Sequence, residues 1–471
     1  DRHNQPGAFT ALIGWEYSLI PGGANLHRIV MSDIGAAEAQ TFAPFGFDDS
    51  SFPSDLWAWL ERTSASTGGN FIAIPHNSNI SKGSMFDIRD IRGNEIDKDY
   101  AQIRRYWEPV VEITQIKGDS ETHPVLSPED SFSDFETYPY YIQREWTDYV
   151  PKEGDYIRSA LRTGLSIQSS VGVNPFQFGV IGSTDAHTAL PSAEEDNFHG
   201  KMARDGTPER KLINPDRPDA TSGWAMAAQG LAAVWADYND RSSIMQAFKR
   251  REVYATSGPR IYLRVFGGWD FNKRDLNHKR YPENGYGKGV PMGGDLFGSK
   301  ENQSSPQFLV AAQKDPFPEN STATDIQRIQ IIKGWVDSQG QSHEKVYDVA
   351  GNANNGATVN RSSCAAEGAG LKNACTVWQD PNFNPSEDAF YYVRLIENPS
   401  CRWSTLQCKA AGVDPFSENC VTQAAEKTAA LHENGARGEI YEKCCTDPAK
   451  ESFYSPIIQE RAWSSPIWYT H

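Results

Sequence analysis

The chain has 471 residues, too many for one ordinary hydrophobic core, so two or three domains are expected. Apolar residues make up 38% of it and include 13 Trp, 22 Phe and 19 Tyr, which excludes a disordered chain. A net charge of −16 with thinly spread Lys and Arg argues against nucleic acid as a partner, and no apolar run reaches membrane-spanning length.

The chain opens Asp1-Arg2-His3-Asn4-Gln5-Pro6-Gly7, with neither an initiator Met nor a secretory apolar region. Either a leader has been removed or the chain starts inside a larger fold. Through residue 258, short apolar runs then alternate with helical patterns. The runs are "FTALIGW" (9–15), "HRIVM" (27–31), "FIAI" (71–74), "PVVEITQI" (109–116), "FGVIGS" (178–183) and "LAAVWA" (231–236). In "SDLWAWLERT" Ser54 can cap a helix whose stripe is Leu56, Trp57 and Leu60. The segment "GDYIRSALRTGL" repeats the pattern, and in "NDRSSIMQAFKRREVY" Asp240 is the cap. Strand–helix alternation at this spacing predicts parallel strands with helices outside, as a barrel or a doubly wound sheet.

After "ATSGPR" (255–260) the texture changes. The runs "IYLRVFGGWDF", "QFLVAAQKD", "RIQIIKGWV", "EKVYDVAG" and "AFYYVRLIE" are separated by Gly, Pro, Asn and Asp with no clear helix between them. They predict an antiparallel β-sandwich over 259–398. Residues 399–455 read as a cysteine-rich insertion with one short helix near 421–432. The aromatic, alternating 456–471 returns to pair with the sandwich. All seven cysteines (Cys364, Cys375, Cys401, Cys408, Cys420, Cys444, Cys445) lie late in the chain and lack paired C-x-x-C spacing. Disulfides with one odd thiol, formed in the periplasm or outside the cell, fit this better than a zinc ribbon; buried free thiols of a cytosolic protein are the alternative.

The first domain places polar residues where its strands end. Glu16 follows Trp15, His27 stands at a strand entry, and His76 follows "FIAI". Glu121 and His123 follow the run at 109–116, and Asp185 and His187 follow "FGVIGS". Taken singly, each is an ordinary strand end or turn. Repetition over five strands points to one metal site, because imidazole nitrogens with carboxylate oxygens suit Zn, Mn or Fe. Lys82 and Lys117, with Asn77 and Asn79 nearby, are candidates for binding a small anionic substrate. No Gly-x-Ser-x-Gly elbow, Walker loop, dinucleotide fingerprint or H-E-x-x-H helix is present. His3, His199, His278, His343, His432 and His471 receive no role.

These residues resemble a known superfamily. "GWE" followed by a His, then "IPHN", then "GSTDAH", resembles the later motifs of PHP-type (polymerase and histidinol phosphatase) metallohydrolases. More closely, "PGGANLHR", "AIPHNSNISKGSMF", "VEITQIKGDSETHP", "GVNPFQFGVIGSTDAH", "EEDNFHGK" and "YATSGPRI" resemble a large bacterial family known by a domain-of-unknown-function label, number 3604. The PHP resemblance implies a distorted (βα)7-like barrel holding two or three divalent metal ions. Glu16 would bridge two of them, His27 and His76 would ligate the second, Asp185 the first and His187 the third. A hydroxide held by the metals would attack a small phosphoester or a related ester or amide. Asp185, His187 and Lys82 are then the catalytic candidates. Asn77, Asn79, Lys117, Glu121, His123 and Arg260 are the substrate-binding ones, Arg260 (or Ser257) through "YATSGPR".

The family pattern opens with a His-x-His strand and an Asp-His pair, and this sequence has neither. A companion chain or cleaved N-terminal segment, a smaller metal complement, or a degenerate site each account for that. The two resulting functions are a periplasmic or secreted metal-dependent hydrolase and a non-catalytic binding or scaffold protein. An oligomer is compatible with either.

Overall fold

The computed structural model describes all residues except 143–146, 191, 203–204, 212–222, 229, 277–279, 299–303, 318–321 and 452–453. His278 therefore lies outside the described residues. Strand β1 (Ile13–Tyr17) pairs antiparallel with β2 (Arg28–Ser32), which pairs antiparallel with β3 (Phe71–Pro75). This corrects the parallel arrangement expected for these strands. Only residues 18–27 link β1 to β2, fewer than the dozen or so that a parallel crossover requires. Between β2 and β3 the chain makes helices α1 (Ala36–Ala39) and α2 (Pro53–Thr67). Gly68 ends α2 in the left-handed region at φ 71°, and Phe71 enters opposite Ser32. Ser54 lies within the first turn of α2 instead of capping it. Pro53 opens the helix, where its fixed φ and missing N–H cost nothing, and Phe52 takes the cap position.

Helix α3 (Lys98–Trp107), not anticipated from the sequence, is capped by Asp97, whose side chain accepts from the Tyr100 N–H at 2.8 Å. A second sheet follows, with β4 (Val110–Gln115) between β5 (Gly118–Asp119, antiparallel) and β6 (Gly179–Gly182, parallel). Helix α4 (Ile157–Val171) lies on the crossover between β4 and β6. Strands β7 (Leu231–Val234) and β8 (Val253–Thr256) are antiparallel on either side of α5 (Arg241–Lys249), which Asp240 caps as expected. Strand β3 packs beside β4, and β6 beside β8. Among the described residues, however, the hydrogen-bonded ladders form separate sheets, and no closed barrel results.

The later strands are antiparallel for the most part. Strand β9 (Tyr262–Gly268) joins a four-stranded sheet with 289–291, 307–313 and 373–379. The facing sheet runs 295–297, 467–470, 389–397, 461–464, β8, β7, with 326–336 pairing both 342–351 and 389–397. Leu263, Val265, Phe308 and Val310 of one sheet meet Ile329, Ile331, Tyr391 and Val393 of the other in one core. Helix α6 (Tyr281–Lys288) interrupts a stretch expected to be free of helix. The cysteine-rich segment holds two helices, α7 (Trp403–Ala410) and α8 (Cys420–Glu433), and not one. Disulfides join Cys364 to Cys401, Cys408 to Cys444 and Cys420 to Cys445, leaving Cys375 as the odd, exposed thiol.

Where α4 meets strand 389–397, the core closes over charge. Glu121 accepts from Arg158 (2.6 Å), Tyr392 (2.6 Å), Arg394 (3.1 Å) and the Trp463 indole (2.7 Å). Asp130 bridges the same two arginines at 2.8 and 2.7 Å. Burial pushes the Glu121 carboxyl up, but the charges of Arg394 and Arg158 outweigh it and hold the group at about 2. An unfolded Glu titrates near 4.3. The stabilisation is therefore complete above that pH and is lost as pH falls toward 2. Glu121→Gln, which leaves both arginines short of charge, is expected to lower the unfolding free energy in urea by about 3–5 kcal/mol. It should also flatten the dependence of stability on pH between about 4 and 2.

Candidate metal centre

Antiparallel pairing carries three polar residues to one end of the β1–β2–β3 sheet. Glu16 lies near the carboxyl end of β1, with Tyr17 opposite Arg28 at the amino end of β2, and Arg28 opposite Pro75 at the carboxyl end of β3. One step beyond this ladder, the His76 N–H donates to the His27 carbonyl at 3.3 Å. Trp15 and Tyr17 pack into the core, and alternation along the strand sends Glu16 to the opposite face. Glu16 Oε1 stands 2.6 Å from His27 Nδ1 and 3.1 Å from His76 Nε2. One ligand atom from each of the three lies within 4.8 Å of the others.

The turn after β3 is held from outside. The fully buried Asn25 carboxamide donates to the carbonyls of His76 (3.0 Å) and Asn77 (3.3 Å). Asn77 adopts φ +50°, a left-handed conformation that Asn tolerates better than most residues, and so the chain can reverse immediately after His76. Asn79 donates to the Lys117 carbonyl at 3.0 Å and accepts from Ser120 at 3.1 Å, and its own carbonyl accepts from the Tyr149 hydroxyl at 2.7 Å. It therefore braces the turn against the loop after β4. Among the described residues, both polar atoms of the buried Asn77 side chain lack a hydrogen-bond partner.

A second group adjoins the first. Strand β6 ends in a turn where Asp185 adopts φ +49°. The Asp185 carboxylate is contacted by Lys117 and by Lys201, the latter at 3.0 Å. His187 Nδ1 lies 2.8 Å from the Asp185 carbonyl and 3.8 Å from its carboxylate, and the ring is 43% exposed. Charge links the two groups, since Lys117, Lys201 and His187 all feel Glu16. Of the five expected ligands, the structure thus gathers Glu16, His27 and His76. It sets Asp185 and His187 alongside them, with Asp185 held by ammonium groups.

The electrostatics favour the anionic, ligand-competent form of Glu16. Burial pushes the Glu16 carboxyl up, but the hydrogen bonds and charges of His27 and His76 outweigh it and hold Glu16 well below the usual carboxylate range. Burial also lowers the His27 pKa, against the hydrogen bond and charge of Glu16, which raise it. One anionic oxygen and two imidazole nitrogens on converging atoms fit a single divalent cation. Burial raises Glu112 on β4 against the opposing pull of His76, Ser183 and Lys117; burial lowers Lys117 with help from the charge of Lys201, and lowers Lys201 against the pull of Glu16 and Glu112.

Glu112 and Lys201 were not foreseen. Glu112, whose carboxylate accepts from Ser183, was readable as a lone acid within the wholly buried strand "VVEITQ". Lys201 sits in a loop with no such signal. Other candidates lie elsewhere. Glu121 belongs to the buried arginine network and is closed to a substrate. The His123 ring lies tilted against Tyr156, with centroids 5.6 Å apart, and its Nδ1 accepts from the Val125 N–H. The Lys82 ammonium donates to the Gly22 carbonyl at 2.8 Å and lies 5.1 Å over the Tyr141 ring. Arg260 is an exposed partner of Glu194 at 3.3 Å, while Ser257 bonds Glu460.

No curated protein and no solved structure matches this chain. A family model, described as protein of unknown function (DUF3604), matches residues 1–430 and so takes in every residue of both groups. The chain belongs to the DUF3604 family.

Proposed function

We propose that this DUF3604 protein is a metal-dependent hydrolase of the PHP type, acting on a small anionic phosphoester or a related ester or amide. The observation that carries the reading is the convergence of Glu16, His27 and His76 within 4.8 Å. These three would hold a divalent ion of the Zn, Mn or Fe class. Asp185 and His187 would add ligands for further ions once Asp185 exchanges its lysine partners. Such ions, when bound, supply Lewis acidity that activates water and offsets charge developing on the substrate. Lys117 and Lys201 are largely buried and both contact the Asp185 carboxylate, which supports a role for them in binding the substrate's anionic oxygens. Asn77 offers beside His76 a carboxamide with no hydrogen-bond partner among the described residues, which supports a role in orienting it. The packing of β3 on β4 and of β6 on β8 supports an open, distorted barrel as the scaffold. Three disulfides support a periplasmic or secreted location.

One observation favours a second reading, a non-catalytic binding or scaffold protein. Glu16 is already satisfied by two imidazoles and Asp185 by two ammonium groups, so the site is internally balanced without a cation. Elemental analysis of the purified protein separates the two. The hydrolase reading expects two or more equivalents of transition metal and a melting temperature that falls in chelator; metal-free protein with unchanged stability in chelator would establish the scaffold. Glu16→Gln and His76→Ala should each weaken metal binding by more than the roughly 10–100-fold that loss of an outer supporting bond costs. Asn25→Ala, which removes only the brace on the His76 turn, should fall within that range by metal titration. Asp185→Asn should abolish turnover of a phosphoester and carboxylester panel while the circular dichroism spectrum stays unchanged.

A further inference from the structure

A second cluster of charge lies at the opposite end of the sheet from Lys117 and Asp185. Those two residues follow the carboxyl ends of the parallel strands β4 and β6. Beside the amino end of β4 lies a cleft of about 440 Å³, within the size range of small-ligand sites. Pro109 and Val173 supply its apolar lining, and Arg105, Tyr106, Lys249 and Arg251 complete its wall. In a chain of net charge −16, three cations on one cleft make a local reversal of sign.

The three cations are held in different ways. The Arg251 guanidinium donates to the carbonyls of Gly293 (2.8 Å) and Gln177 (3.0 Å) and pairs with Asp295 at 3.1 Å. Its backbone stands at φ +63°, a costly conformation for a residue with a side chain, and a side chain on Gly293 would collide with the Arg251 carbonyl. Arg251 is thus fixed in place. Arg105, in the last turn of α3, is not: among the described residues its guanidinium makes no hydrogen bond, and its ion-pair partner is Asp295 at 3.9 Å. Burial and the like charge of Arg251 both work against the Arg105 cation. Lys249 donates to the Asn70 side chain at 2.6 Å and lies 5.7 Å over the ring of the exposed Tyr106. Asp33 stands behind Asn70, accepting two hydrogen bonds from it at 2.8 Å, and its charge reaches Lys249 from there. A cation suits the carboxyl end of α3 in any case. The helix dipole does not account for three of them on one cleft where, among the described residues, Asp295 is the one carboxylate within 4 Å.

We propose that this cleft is a second binding site, which takes a dianionic phosphate group, either free or carried on a small organic molecule. Three cations against the single carboxylate of Asp295 leave two positive charges, which a dianion neutralises and a monocarboxylate does not. Arg105 has the planar fork that matches phosphate oxygens in pairs, and its guanidinium has no hydrogen bond to give up. Lys249 adds a point charge, and Arg251 a charge already fixed in position. The exposed Tyr106 ring beside Lys249 offers an apolar face to whatever carries the phosphate. The site stands independently of the hydrolase reading, because it shares no residue with the groups around Glu16 and Asp185.

Calorimetric titration of the full chain with inorganic phosphate and with phenylphosphonate tests this. The phosphonate has no P–O–C bond, so turnover adds no heat. Inorganic phosphate should bind saturably, and acetate should bind at least about tenfold more weakly. Arg105→Gln should weaken phosphate binding by about 10–100-fold, the loss expected for a charge-assisted contact, and Arg105→Gln with Lys249→Gln should weaken it further. Lys201→Gln, which alters the group around Asp185, should leave this binding event unchanged. Tighter binding of phenylphosphonate that is lost in Tyr106→Ala identifies an organic phosphate as the occupant, and equal binding of the two probes identifies the free ion. Absence of saturable phosphate binding, acetate binding as tightly as phosphate, or binding that survives in the double variant or disappears in Lys201→Gln would overturn the proposal. Should the double variant not fold, Arg105→Gln decides the matter alone.

Discussion

Residues 18–27 are too few to carry the chain across a sheet, and much of the candidate site follows from that single constraint. Strand β2 must turn back along β1, and its first residues therefore lie beside the last residues of β1. Strand β3 turns back in the same way along β2. A glutamate at the end of one strand, a histidine before the next and a histidine after the third then occupy one edge, although they span positions 16 to 76. In a parallel sheet His27 would have been at the far end. The three donors meet because the local connection is short, and Asn25 and Asn79 fix the turn that finishes the arrangement.

The second half of the site is held by different means. Asp185 and His187 leave a parallel strand on a turn with a non-glycine residue at positive φ, a conformation that persists only when its surroundings over-determine it. Lys117 and Lys201 supply that determination from two sides. The loop between Asp185 and Lys201 is in turn fastened to the segment that begins at Arg402 and Trp403. That segment has little core of its own and depends on three disulfides and on aromatic stacking with Phe198 and Trp224. Cross-links late in the chain thereby bear on the placement of residues far earlier in it.

The two sheet regions are continuous. Strand β8 pairs with 461–464, and one apolar cluster holds Leu56, Leu161 and Val111 together with Ile332, Phe390 and Trp468. Within that junction Glu121, Asp130, Arg158 and Arg394 neutralise one another out of water. Such a group contributes little net stability compared with apolar packing of the same shape, but any one member left alone is costly. It therefore specifies a single way for α4 to sit against strand 389–397.

Sequence alone was enough to place most strands and helices, because alternation of period 2 and stripes of period 3.6 are local. It was also enough to mark Glu16, His27, His76, Asp185 and His187, since polar residues at the ends of buried runs are visible without a fold. It identified the disulfide character of the late cysteines and the odd thiol. Strand direction, the internal duty of Glu121, and the pairing of Asp185 with Lys117 and Lys201 were decided only by tertiary structure. Each of these depends on which distant segment lies opposite, and in a low-dielectric interior the opposite partner, not the residue itself, determines whether a carboxyl binds an arginine, an ammonium or a proton.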